Sequence, residues 1–331
     1  MSSKRPSTIR DVAAAAGVST ATVSKFINGL QHFTPEVEQR LTEAIARLGY
    51  RANQQARSMV TGRTRTFGLA VQDVRNPHFA NIIKGANRVA LEHDYNLLVV
   101  DVQERAAHER HLLEALSGRV DGLIVSSRLP DESLLWLSEL GKPVVFFGRR
   151  DAPGIRCVRS DGQRAAYMLG RHLVETGRKR ITYLGFPVAR WDAERLAGLS
   201  EALAESGLTP KTHSVSLPTM EGGQCEASRL LLTTLRPDAV VCYNDLIAIG
   251  LMHEAQSLGI KVPNDVAIAG FDDIPVAAFM QPALTTVNMR SEEQGEAAMQ
   301  LLLEAVSGSQ DASDVLLEPR LVPRASTARV G

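Results

Sequence analysis

The feature that most constrains this 331-residue chain lies near its start, where two short helix-forming stretches are joined by one tight turn. In the run Thr8-Ile9-Arg10-Asp11-Val12-Ala13-Ala14-Ala15-Ala16-Gly17, Thr8 is a good N-cap and Asp11, three residues on, can reach back to it. Ile9, Val12, Ala13 and Ala16 recur at helical spacing and give one apolar face. Gly17 suits the C-terminal turn. Ser19 then caps a second helix from Thr20 to about Ile27, with Val23 and Ile27 facing inward. Thr34-Pro35-Glu36 opens a third with an N-cap, a proline at the first helical position and an acid in the first turn. Val37, Leu41, Ala44, Ile45 and Leu48 form its buried stripe, and Gly49 stops it.

Two short helices joined by a glycine turn and braced by a third make a helix-turn-helix arrangement. The second helix turns small polar side chains outward, Thr20, Ala21, Thr22, Ser24 and Lys25 among them. Such groups can enter a major groove and read base edges through hydroxyls, an ammonium and a methyl. A three-helix bundle without a DNA role fits the same periodicity. Charge separates the two readings. Residues 1–64 carry nine cations (Lys4, Arg5, Arg10, Lys25, Arg40, Arg47, Arg51, Arg57, Arg63) against four anions (Asp11, Glu36, Glu38, Glu43), a net +5. The whole chain sums to zero, so the remainder carries −5. A basic end on an acidic body is the pattern of a polyanion-binding module fused to something with another task.

The segment TIRDVAAAAGVSTATVSKFING, with TPEVEQRLTEAIARLGYRANQQARSMVTGRT after it, resembles the headpiece of the LacI/GalR repressor family. The resemblance implies that Thr20 and Ala21 begin the base-reading helix. It also implies that Thr8, Thr22, Ser24, Asn28 and His32 make backbone or nearby contacts, with Ser19 and Lys25 beside them. Within a hinge and linker segment of residues 52–65, Ala52–Val60 would be the family's hinge helix, which folds on the operator and wedges an apolar side chain into the minor groove; the bland alternative is a flexible linker. Here the wedge position is Met59, with Asn53, Arg57 and Ser58 around it, and Ala52 stands where the family usually has proline. The headpiece is accordingly assigned to residues 1–51.

From Thr66 onward, short apolar runs alternate with stretches of helical period. Strands are expected at Phe67–Val71, Asn96–Asp101, Gly122–Ser126, Val144–Gly148, Ile181–Phe186, Ala239–Tyr243 and Val266–Phe271, with helices between them at about 79–92, 105–117, 132–139, 162–176, 192–206, 221–235, 245–258 and 291–306. That alternation predicts parallel sheets covered on both faces, and so many strands predict two doubly wound lobes with ligands at the carboxyl ends of the strands. VCYNDLIAIG, LGIKVPNDVAIAGFDD and PALTTVNM resemble the family's effector-binding core, which shares its fold with periplasmic sugar-binding proteins. The resemblance implies an N-lobe of about 66–161 and 291–318 and a C-lobe of about 162–288 and 321–331. Chain crossings would fall near Asp161, Val287–Ser291 and Glu318–Leu321.

By position, the resemblance gives Arg195, Asn244 and Asp272 as the main effector contacts and Phe79, Ser126, Arg190 and Trp191 as contacts that vary with ligand. Arg149 joins them, although Gly148 stands where an acid is usual. Arg, Asn, Asp and aromatic groups together suit a polyhydroxylated, carbohydrate-type ligand. Arg190 and Arg195 on one loop extend that expectation to a sugar acid or sugar phosphate.

The expected function is therefore a sequence-specific transcriptional regulator, most simply a repressor. It would work as a homodimer on double-stranded operator DNA under control of a small effector. No heptads follow in ASTARVG, so a zipper-linked tetramer is not expected. An enzyme on the same scaffold would need a dinucleotide fingerprint, a P-loop, a nucleophile elbow or a metal cluster, and none is seen. No cofactor is called for. Cys157, Cys225 and Cys242 show no metal spacing and read as reduced thiols. A transport component would need export, and no signal-like or membrane-spanning apolar run is seen, so a cytoplasmic, nucleoid-associated protein without a membrane role is expected.

Overall fold

The computed structural model describes residues 7–50, 62–148, 155–309 and 313–329. The chain separates into two compact units, Met1–Thr64 and Arg65–Gly331.

The first unit holds α1 (Ile9–Ala16), α2 (Thr20–Ile27) and α3 (Pro35–Leu48). Its start is fastened as the capping pattern requires: the Thr8 amide and hydroxyl both donate to the Asp11 carboxylate, at 2.7 and 2.8 Å. Gly17 takes φ 66° between α1 and α2, and the Ser19 hydroxyl accepts the Thr22 amide at 3.0 Å to cap α2. Eight-residue helices are not stable alone, so packing must hold them. Val12, Ala13, Ala16, Val23, Leu41 and Ala44 supply that packing, with Ile9, Ile27, Val37, Ile45 and Leu48 closing around them.

The second unit runs β1 (Thr66–Val71), α4 (Pro77–Glu92), β2 (Asn96–Asp101), α5 (Ala106–Ser117), β3 (Leu123–Val125), β4 (Val144–Phe147), β5 (Ile155–Ser160) and α6 (Gly162–Glu175). It continues with β6 (Ile181–Gly185), α7 (Asp192–Ala204), β7 (Lys211–Ser214), α8 (Met220–Leu231), β8 (Ala239–Cys242), α9 (Asp245–Ser257) and β9 (Ala267–Ala269). It closes with β10 (Thr286–Asn288), α10 (Ser291–Val306), β11 (Val315–Leu317) and β12 (Arg320–Val322). One sheet has the order β11-β5-β4-β3-β1-β2 and the other β7-β6-β8-β9, and both are parallel throughout. The chain leaves the first sheet between β5 and α6, and β10 pairs antiparallel with β12 in a separate ribbon.

The central strands β1, β3, β4, β6 and β8 are buried on both faces, which is why they read as unbroken apolar runs. Phe67, Leu69 and Val71 of β1 point to the layer of α4 and α10, while Ala70 between them points to the layer of α5. In the second sheet, Ile181 and Tyr183 face α6 and α7, and Leu184 faces α8 and α9. Among the described residues, no helix is long and apolar enough to cross a membrane.

Two departures from the sequence reading have physical causes. The stretch expected as an α-helix at 132–139 is a 3-10 helix, Asp131–Leu140. There the Trp136 indole N–H and the Ser138 hydroxyl each donate to the carbonyl three residues back, Ser133 and Leu135. Five strands escaped notice (β5, β7, β10, β11 and β12). In β5 the apolar run is broken by Arg156, whose guanidinium is spent on the Leu301 carbonyl at 3.0 Å, and β7 is an edge strand of mostly exposed polar residues.

The paired helices cross at glycines with backbone against backbone. A Cβ on Gly85 of α4 would lie 2.0 Å from the Glu292 carbonyl oxygen, and one on Gly295 of α10 would lie 2.0 Å from that of Ile82. Overpacking of this kind costs about 1–3 kcal/mol or more. Gly295→Ala is therefore expected to lower the Tm of the body by at least about 2–4 °C, the shift that about 1 kcal/mol produces at this size. A melt indistinguishable from wild type would show that the helices can part without cost.

Candidate functional site

The carboxyl ends of the strands and the loops after them bring a set of side chains from both lobes to one cleft. The N-lobe contributes Asn76, His78 and Phe79 after β1, Glu104 after β2, and Ser126 and Arg128 after β3. The C-lobe contributes Trp191 and Arg195 after β6, Tyr243 and Asn244 after β8, and Asp272 after β9. Six of the expected effector contacts thus line one space: Phe79, Ser126, Trp191, Arg195, Asn244 and Asp272.

Arg195 is the most tightly held of these groups. It sits in the first turn of α7, where its amide bonds the Trp191 carbonyl at 3.0 Å. Its guanidinium lies 4.5 Å from both the Tyr243 and Phe271 ring centres, a double cation–π arrangement. One end donates to the Tyr243 carbonyl, and the other lies 3.7 Å from the Asp272 carboxylate. Its Nε is buried and finds no hydrogen-bond partner among the described residues. Asp272 is held at φ 105°, a conformation rarely adopted by a residue with a side chain.

Asn244 works first as a cap. Its side-chain oxygen accepts the Ile247 amide at 2.9 Å to start α9, and its side-chain nitrogen donates to the Pro218 carbonyl at 3.0 Å. Asn76 likewise caps α4 through the His78 amide at 3.0 Å. Asp192 accepts the Tyr183 hydroxyl at 2.9 Å and the Phe186 amide at 2.7 Å, fixing the loop that carries Trp191.

Arg190 lies beside this space, against Arg128 and Trp191. Its guanidinium donates to the carbonyls of Ser127 (3.2 Å from Nε) and Leu129, and lies 5.1 Å from the Phe146 ring centre. It joins the loop after β6 to the loop after β3, so it bridges the lobes. Gly148 takes φ 134°, and a Cβ there would lie 3.2 Å from the Phe146 ring and 3.9 Å from the Trp191 indole, so glycine gives the aromatic wall its room.

Arg128 and Glu104 were not singled out, though each follows a strand end, as do the Asn76-Pro77-His78-Phe79 candidates after β1. Arg128 and Glu104 form a two-pronged ion pair at 2.8 Å on each prong. Burial opposes the Arg128 charge, but Glu104 and the Tyr243 phenol raise its pKa above the ordinary value. The His78 ring nitrogen Nδ1 is 2.8 Å from the Ser291 hydroxyl and 3.5 Å from the Asp272 carboxylate. Burial lowers the His78 pKa; Asp272 works against that, and Arg195 and Arg128 add to it. His78 is thus neutral at pH 7. Behind the cleft, burial raises the Glu109 carboxyl, which receives the Arg128 amide at 3.3 Å.

In the first unit, Ser19, Thr20, Ala21, Lys25 and His32 are exposed, and Thr22, Ser24 and Asn28 are half-buried. Thr8 is half-buried and engaged with Asp11, and the Asn28 side chain donates to the Ser24 carbonyl at 2.8 Å, so these two shape the helix ends. Lys25 reaches Gln31 at 3.1 Å. Asn53, Arg57, Ser58 and Met59 of the expected hinge, with Arg149, lie outside the described residues.

A three-helix unit presenting one polar helix face, joined to a two-lobed body with a polar cleft between parallel sheets, defines a class: DNA readers with a ligand-binding body. Comparison makes this specific. The profile of bacterial regulatory proteins of the lacI family matches residues 8–53, and that of the periplasmic binding protein-like domain matches residues 171–327. The regulator GalS of Salmonella typhimurium is 34% identical over 97% of this chain and 96% of its own length. The repressor PurR of Mannheimia succiniciproducens is 32% identical over 98% and 99%. Among solved structures, the lac repressor dimer bound to operator and the anti-inducer ONPF superposes with a TM-score of 0.87 at 24% identity, covering 98% of this chain and all of that one. The complex of the regulator CelR with cellobiose gives 0.71 at 29% identity, covering 97% and 99%. The chain belongs to the lacI family: it is a DNA-binding transcriptional regulator with a ligand-binding domain, and its relatives are regulators, not enzymes.

Because the His78 pKa is lowered on folding, the unfolded chain takes up this proton first as pH falls below about 6.5. Its contribution to stability is present above that pH and is lost on acidification. His78→Gln is expected to flatten the fall in Tm between neutral and mildly acid pH relative to wild type. His172, whose pKa burial also lowers, is present in both proteins and cancels in the difference. Parallel curves would place the titration elsewhere.

Proposed function

We propose that this regulator acts as a homodimeric repressor whose operator affinity is set by a carbohydrate-type effector held in the cleft. One observation carries the reading. Aromatic faces (Phe79, Trp191, Tyr243) stand among hydrogen-bonding groups of both kinds (Ser126, Arg195, Asp272) in one buried space drawn from both lobes. Hydroxyl-rich rings need that combination: carboxylates and amides for hydroxyls, guanidinium for ring and hydroxyl oxygens, aromatic faces for the apolar side of the sugar. The cellobiose complex of a relative aligned over nearly its whole length supports it.

On the DNA side, Thr20 and Ala21 read bases, with Ser19, Thr22, Ser24, Lys25, Asn28, His32 and Thr8 near the backbone; Met59 is the proposed wedge. The dimer of the lac repressor on its operator, which shares this fold, is the template for two half-sites about one helical turn apart. An effector that prefers one arrangement of the lobes shifts operator affinity by its differential binding, typically about 1–3 kcal/mol.

Gel shift with selected operator DNA should show sequence-selective binding that weakens steeply with salt. Deletion of residues 1–60 should abolish it, and retained selectivity would refute the assignment. Thermal shift with a panel of sugars tests the effector. A sugar at 100 times its Kd stabilises the folded body by about 2.7 kcal/mol and raises its Tm, whereas a panel with no response would reject the carbohydrate reading.

A further inference from the structure

Glu104 reaches the cleft by a strained route. After β2 the chain turns through Gln103 and Glu104 at φ 58° and 53°, both in the left-handed region that side chains disfavour. The Gln103 amide donates to the Asp101 carboxylate at 3.0 Å, and the Glu104 amide to the Gln72 carbonyl at 2.9 Å. The turn sets the Glu104 carboxylate fork-on-fork against Arg128, with the two side chains 11% and 7% exposed. Nε and Nη2 of Arg128 each give one hydrogen to it, at 2.8 Å. A guanidinium has five such hydrogens, so others remain for the Tyr243 phenol and for oxygen atoms in the cleft.

Arg195 has its own counter-ion in Asp272, and His78 is neutral. Two cations and two anions therefore face the cleft from its described residues, and they cancel. A pocket built for a carboxylate or phosphate leaves a cation to receive it. Here an anionic ligand reaching Arg128 would meet the Glu104 carboxylate on the same guanidinium.

We propose that Glu104 is the specificity-determining residue of the effector site. It neutralises Arg128, so the cleft accepts an uncharged polyhydroxylated effector and refuses its carboxylate or phosphate counterpart. The choice of a polyhydroxylated ligand rests on the function proposed above; the neutralising role does not.

The test is Glu104→Gln in the full chain, which keeps the shape and leaves Arg128 without a counter-ion. Melts with sodium sulfate against sodium chloride at matched ionic strength need no effector. Sulfate stabilises folded proteins in general, so the readout is the difference: it should raise the Tm of the variant more than that of wild type. Arg128→Gln combined with Glu104→Gln should bring the sulfate response back to that of wild type. Calorimetry with glucose, galactose and cellobiose against glucuronate and galacturonate reads selectivity. Wild type should favour the neutral sugar, and the variant should shift toward the uronate by about tenfold or more, as for a charge pair made or broken in a buried site. If Glu104→Gln does not fold, Glu104→Asp, which shortens the reach to Arg128, should give the same changes at smaller size.

Equal sulfate responses in wild type and variant, with unchanged selectivity, overturn the role of Glu104. A wild type that binds a uronate and no neutral sugar overturns it as well. A chain that binds no sugar of either kind, while the variant still gains a sulfate response, rejects the carbohydrate reading and upholds the neutralising role.

Discussion

A buried guanidinium is costly unless its charge is met by carboxylates, carbonyls or aromatic faces, and this cleft buries two. Much of the site follows from meeting that cost. Asp272 sits at an unfavourable φ beside Arg195, and Glu104 arrives through two left-handed residues beside Arg128. The aromatic rings that flank Arg195 answer the same demand with their π faces. Strain in the loops and pairing in the cleft are thus two sides of one requirement, and they explain why the carboxyl ends of the strands carry so many non-glycine residues in glycine-like conformations.

The headpiece was legible because its signals are local. A cap, a turn glycine and a helical stripe lie within a few residues of each other, and Thr8, Asp11, Gly17 and Ser19 do what their chemistry suggests. The inner strands were legible for a related reason, since burial on both faces writes an apolar run into the sequence. Edge strands leave such a mark only where they are apolar, as β2 and β9 are. β7 is polar because one side of it meets water, and β5 hides behind an arginine that the fold uses to hold the Leu301 carbonyl.

The site was half legible. A ligand contact and a loop clamp can be the same residue type at the same strand end, and only partners in space tell them apart. Arg190 and Arg195 lie five positions apart, yet one bridges the lobes through carbonyls and the other sits in the cleft. Asn244 resembles a ligand group and is first of all a helix cap. Glu104 carried no signal of its own, because its importance comes from Arg128, 24 positions away.

The glycine crossings between the paired helices have a mechanical meaning. Where backbone touches backbone, no side chain is left to rotate or flow, and the contact can neither be compressed nor slide gradually. Each lobe therefore behaves as a stiff block, and compliance is confined to the connections between blocks. A displacement of a fraction of an ångström imposed at the cleft is not absorbed along the way. It is transmitted as rotation, and the longer the block, the larger the travel at its far end.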